Sequence, residues 1–125
     1  LRHLLWLTLI VVASCVSAKP LETNNYRCVI LYDLDGHGYQ SMQRQIGQLR
    51  RHIISQSIAL IDLRQMLDQA PHIPVSGRQV RMLRQEYDIP WQEQQGLTLD
   101  AEGKILLRQK QLVNLVDLMM ACPTR

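Results

Sequence analysis

Apolar residues fall into two kinds of run along the chain, and their spacing sorts the elements. They are nearly unbroken in Arg27-Cys28-Val29-Ile30-Leu31-Tyr32-Asp33 and again in Ser57-Ile58-Ala59-Leu60-Ile61-Asp62-Leu63. Runs of that length without polar alternation belong to strands buried on both faces. Between them, Met42, Ile46, Leu49 and Ile53 recur at spacings of four, three and four, which predicts one face of a helix over 39–54. Asp33-Leu34-Asp35-Gly36-His37-Gly38 supplies the turn that precedes it. A helix between two buried strands implies a parallel crossover, so the first half of the domain reads as a βαβ unit.

The second half changes period. Residues 65–75 hold Pro71 and Pro74 and read as a surface connection with one short helical turn near Met66. Ser76, with Gln79 three residues later, fits a capping box. Val80, Leu83 and Tyr87 then line one side of a helix that stops before Pro90. Leu97-Thr98-Leu99 and Ile105-Leu106-Leu107 flank Asp100-Ala101-Glu102-Gly103, the pattern of an antiparallel hairpin in which Gly103 takes a positive φ beside a bulge. Leu112, Leu115, Val116 and Met119 space a last amphipathic helix that ends before Pro123.

The N-terminus follows another logic. Leu1-Arg2-His3 is short and basic, Leu4 to Val12 is apolar, and Ala13 to Ala18 are mostly small. This is the three-part layout of a secretory signal. Its apolar run of nine residues is far short of the roughly 20 that cross a bilayer as a helix. We therefore expect a signal peptide over 1–18, a polar lead-in over 19–26 and one domain over 27–125. Cleavage after Val16-Ser17-Ala18 is favoured and would make the protein periplasmic or secreted. Val12-Ala13-Ser14-Cys15 offers an alternative, a lipobox in which Cys15 carries acyl chains and tethers the domain to a membrane. Neither route leaves a transmembrane span in the mature protein.

Composition narrows the classes. Loss of the first 18 residues leaves 107 of 125, enough for one core. It leaves 13 basic against 11 acidic side chains, a balance that argues against nucleic acid. The cluster Arg50-Arg51-His52 reads as a solvated helix face, and so does the stripe Arg78, Arg81, Arg84. With Cys15 gone or lipidated, Cys28 and Cys122 remain in an oxidising compartment. They form either one disulfide or two separate buried thiols. A disulfide closing so long a loop would contribute on the order of 3 to 5 kcal/mol.

The order strand, helix, strand, helix, hairpin, helix resembles the thioredoxin fold, a βαβαββα three-layer α/β sandwich. Members of that fold carry reactive cysteines at the start of the first helix, where the helix terminus stabilises a thiolate. Here that position reads Gly36-His37-Gly38-Tyr39, so dithiol chemistry has no cysteine to use there. Val29 to Gly36 also resembles the first motif of haloacid-dehalogenase-like phosphatases, which implies a magnesium-dependent nucleophile and acid at Asp33 and Asp35. Too little chain follows Lys104 and Lys110 for that family's later magnesium motif. Read as a calcium loop, Asp33, Asp35 and His37 are followed by Arg44 where a bidentate acid is needed. The histidines His3, His37, His52 and His72 show no zinc-ligand spacing, so no metal or other cofactor is expected. Trp91, beside Pro90, is read as a cap over the hairpin edge in preference to an exposed aromatic of a binding loop.

Residues 21–125 resemble the exported bacterial domain of unknown function 4174, a thioredoxin-like family with relatives in animal extracellular matrix proteins. The residues carrying this are the strand led by Arg27, Leu97-Thr98-Leu99-Asp100 with Gly103-Lys104 and Arg108, and Asp117-Leu118-Met119 with Pro123-Thr124-Arg125. The family brings a methionine and a proline together at its end, and here Ala121 and Cys122 intervene. The resemblance implies fold and export and brings no catalytic residues. The leading expectation is a non-catalytic binding or interaction module of the bacterial periplasm. Its contact surface is Gly36, His37, Gly38 and Tyr39, where free backbone N–H groups attract an anion. Its partner is a small anionic ligand or an envelope protein. The alternative is an atypical thiol-disulfide redox protein using Cys28 and Cys122.

Overall fold

A computed structural model describes residues 25–124. The expected signal peptide, Cys15, both cleavage sites and most of the polar lead-in lie outside the described residues. What is described is a mixed α/β unit of four strands and three helices. In chain order these are β1 (Cys28–Asp33), α1 (Gly36–Ser55), β2 (Ile58–Asp62), α2 (Gly77–Glu86), β3 (Gln95–Asp100), β4 (Ile105–Lys110) and α3 (Leu115–Met120). Among the described residues no helix is long and apolar enough to cross a membrane.

The strands form one sheet in the order β2-β1-β3-β4. β1 runs parallel to β2, with Tyr32 opposite Asp62, and antiparallel to β3, with Asp33 opposite Gln95. Strand periodicity then divides the core. Cys28, Ile30 and Tyr32, with Ile58 and Leu60, face Met42, Ile46 and Ile53 of α1 and Leu115 and Leu118 of α3. Val29 and Leu31, with Ala59, Ile61, Leu97 and Leu99, face Val80 and Leu83 of α2. Helices thus cover both faces, and the two apolar runs are buried throughout because neither strand has a wet side.

Several expectations need correction. α1 begins at Gly36 and not near Tyr39, so Gly36, His37 and Gly38 form its first turn. The connection after β2 opens with the expected single turn, where Met66 N–H donates to Asp62 O at 3.1 Å, but it is not a surface segment throughout, for Pro71 and His72 are buried. The cause is backbone pairing: Leu60 N–H donates to Pro71 O at 3.1 Å and Ile73 N–H to Leu60 O at 2.8 Å, so this segment covers the outer edge of β2. α3 is shorter than expected and turned. Asn114 caps it by accepting from Asp117 N–H at 3.1 Å, which leaves Leu112 outside the helix and exposed. Its inner face is Leu115 and Leu118, continued by Cys122, and Val116 is exposed.

Two local expectations match the structure. Ser76 Oγ and the Gln79 side chain form the reciprocal capping box of α2. In the hairpin, Gly103 has φ +86° and the register shifts between Thr98 and Leu99.

Candidate functional site

Among the described residues, the buried polar or charged side chains are Asp33, Asp62, His72, Arg84, Gln95 and Thr98. All but Thr98 gather where β1 ends. The topology explains the place. α1, which follows β1, lies on one face of the sheet, whereas α2, which follows β2, lies on the other. The carboxyl ends of neighbouring parallel strands whose helices diverge in this way are where open α/β sheets leave a crevice for ligands.

β1 delivers its last two side chains to opposite faces. Tyr32 turns under α1, where its hydroxyl meets His72 Nε2 at 2.7 Å and accepts from Gln43 Nε2 at 3.1 Å. The direction of the Tyr32–His72 bond follows the His72 tautomer: a neutral ring bare at Nε2 accepts from the phenol, and a ring protonated there donates to it. Burial lowers the His72 pKa, against the pull of Asp62, and so favours that neutral form. Burial raises the Tyr32 pKa, with the Asp62 carboxylate adding to it, so this phenol holds its proton. Asp62 Oδ1 accepts from the backbone of Arg64 at 2.9 Å and Gln65 at 3.0 Å, closing the turn after β2.

Asp33 turns the other way. Its carboxylate is fully buried and is shared by Arg64, through Nε, and Arg84, through Nη1 at 2.8 Å. Arg64 reaches onward to Asp35 Oδ2 at 3.1 Å. The bond to Asp33, first among several contacts, raises the Arg64 pKa. Arg84 is 5% exposed, which corrects its reading as part of a solvated stripe. Trp91 is also corrected, for it lies over the Arg84 guanidinium, 3.8 Å from Cζ to the ring centroid, rather than over the hairpin edge.

The first turn of α1 sits beside this pair. Gly36 has φ +53°, a left-handed conformation that glycine adopts without strain. Asp35 occupies the N-cap position but makes no side-chain cap, because its carboxylate is held by Arg64. Its backbone N–H donates to Gln94 Oε1 at 3.0 Å. The first turn holds no acidic residue to answer the helix dipole. Gly36, His37 and Gly38 are exposed there and Tyr39 is half-buried, so the four expected binding residues are neighbours on one turn. Burial raises the Tyr39 pKa, with Asp62 contributing.

Cys28 and Cys122 lie at the other end of the sheet. They are bonded, with Cα atoms 5.7 Å apart. The six residues of β1 separate Cys28 from the start of α1 by roughly 17 Å at the strand's rise per residue. Cys122 lines a groove of about 340 Å³ together with Arg27, Leu49, His52, Val116 and Met120.

Asp33 has both carboxylate oxygens engaged by arginines, an arrangement that gives no support to nucleophilic attack on a phosphate ester. Among the described residues no group of three His, Cys, Asp or Glu side chains converges as a metal site.

The sequence reading did not single out Asp62, Arg64, His72 or Arg84 as parts of a site. A signal was present for two of the five buried groups: Asp33 and Asp62 each close an otherwise apolar strand, and a charge ending a run buried on both faces must find a partner. No family model, curated protein or solved structure matches the chain.

Proposed function

We propose that the chain is a thioredoxin-like binding module of the bacterial periplasm that acts without a catalytic thiol. Its ligand is an anion, free or carried by an envelope protein, held at the first turn of α1. The observation that carries this reading is the pairing of Asp35 with Arg64, which engages the side chain that would cap α1 and leaves the N–H groups of the exposed turn Gly36-His37-Gly38 without a side-chain cap. Arg64 lies beside them, its charge already shared by Asp33 and Asp35.

The thioredoxin-like assignment is supported by the element order, by the strand order β2-β1-β3-β4 with β3 antiparallel to β1, and by helices on both faces. The resemblance of residues 21–125 to the exported family of unknown function points the same way. A bonded Cys28–Cys122 pair suits an oxidising compartment.

Calorimetric titration of the full chain with inorganic phosphate tests the reading. His37→Glu would place a carboxylate over the same N–H groups and weaken phosphate by about fivefold, on the order of 1 kcal/mol. Equal affinity in wild type and variant would overturn it. The redox alternative is favoured by one feature, the groove at Cys122. It predicts disulfide-reductase turnover that disappears in Cys122→Ser, whereas the binding module has no turnover to lose.

A further inference from the structure

Arg84 presents an unusual inventory of donors. Its Nη1 is saturated by Asp33 Oδ2 at 2.8 Å and by the carbonyls of Ile89 and Pro90, both at 3.4 Å. Its Nε and Nη2 are buried and have no hydrogen-bond partner. Unpaired buried donors are costly and uncommon. Nε and Nη2 together form one edge of the planar guanidinium, the fork that grips a carboxylate through two parallel hydrogen bonds.

The surroundings suit such a guest. Arg84 lines a cleft of about 460 Å³ with Arg81, Asp88, Ile89, Pro90 and Trp91. Arg81 and Asp88 bring one charge of each sign and Asp33 answers Arg84, so the unpaired Nε and Nη2 donors, and not net charge, suit an anion; Ile89, Pro90 and Trp91 supply apolar wall. Trp91 covers the guanidinium face yet is 64% exposed, so its displacement is a surface rotation that leaves the core packed.

We propose that the cleft between α2 and the segment leading to β3 is a carboxylate-binding site, in which the Nε/Nη2 edge of Arg84 holds the ligand and Trp91 tilts aside to admit it. Asp33 fixes the guanidinium from its Nη1 side and leaves the Nε/Nη2 edge unpaired. The site lies on the α2 face and joins the α1 first turn through Asp33 and Arg64; the two are told apart by different ligands and readouts, phosphate at the turn and a peptide carboxylate at Trp91.

Trp6 and Trp91 are the two tryptophans of the chain. In a full-length Trp6→Phe protein, tryptophan emission excited apart from the tyrosines therefore comes from Trp91 alone. It would be titrated at constant ionic strength with acetate, with N-acetyl-Ala-Ala bearing a free carboxylate, and with the amidated peptide. The expected result is a saturable change with the free peptide, none with the amide, and at least tenfold weaker binding in Arg84→Lys, which keeps a cation near Asp33 but lacks the fork. A matching response to acetate identifies the carboxylate alone as sufficient; a response to the peptide alone identifies a peptide terminus as the source. Equal response to the amidated peptide, the same change with chloride, no saturation, or undiminished binding in a folded Arg84→Lys would each overturn the proposal. Should that variant not fold, the free and amidated peptides on the Trp6→Phe protein decide the matter.

Discussion

Replacing Asp33 by Asn preserves its shape and removes the charge that Arg64 and Arg84 share. Arg84 would then sit buried without a counterion, a change that typically costs about 3 kcal/mol or more. Urea unfolding of Asp33→Asn should show a loss of that order, and a loss under about 1 kcal/mol would mean that solvent already compensates Arg84. His72 adds a pH dependence of known sign. Its folded pKa lies below the unfolded value because burial disfavours the cation, so the unfolded chain binds more protons as pH falls. Its stabilising effect is complete above the unfolded pKa of about 6.5 and is lost as pH drops through the lower folded value. Wild-type stability should therefore fall as pH drops below about 6.5, and His72→Gln should flatten that slope; identical slopes would remove His72 as the cause. These groups were only partly legible in the sequence. Asp33 and Asp62 announce themselves by closing apolar strands, but nothing local marks His72, which reaches Tyr32 across 40 residues, or Arg84, which reaches Asp33 across 51.

Elements were more legible because their signals are local. The capping box of α2 depends on residues three apart, and Ser76→Ala should cost about 1 kcal/mol in thermal or urea unfolding. The phase of α3 was misread for the converse reason. Asn114 starts the helix after Leu112, and three distant contacts set its rotation: Thr98 Oγ1 donates to Leu118 O at 2.7 Å, Leu115 N–H donates to Gln45 Oε1 at 3.0 Å, and Cys122 bonds Cys28. Apolar spacing alone could not choose between the stripe through Val116 and the one through Leu118. Gly96 is where α3 and the segment before it press closest to β3. A Cβ there would lie 2.7 Å from Val113 Cγ1 and 3.0 Å from Leu118 Cδ1. Gly96→Ala should destabilise by about 1 to 3 kcal/mol and shift the amide resonances of α3; an unchanged α3 would show that the contact relaxes freely.

At the scale of the molecule, the two ends of the sheet differ in chemistry. The disulfide closes a sequence separation of 94 residues at the amino end of β1, and its removal in Cys28→Ser/Cys122→Ser should cost about 4 to 5 kcal/mol if chain entropy dominates. The carboxyl end collects the buried charges and the open first turn of α1. The α/β character and element order follow from apolar periodicity, whereas the clustering at one end follows from strand order, which periodicity does not contain. The central claim is that this charged end, and not the disulfide end, receives the ligand. The most direct test is an amide chemical-shift map of the uniformly 15N-labelled full chain titrated with inorganic phosphate. Saturable shifts centred on Gly36, His37 and Gly38, with Cys28 and Cys122 unmoved, are predicted. Shifts centred on the groove beside Cys122, or none that saturate at the first turn of α1, would contradict the account.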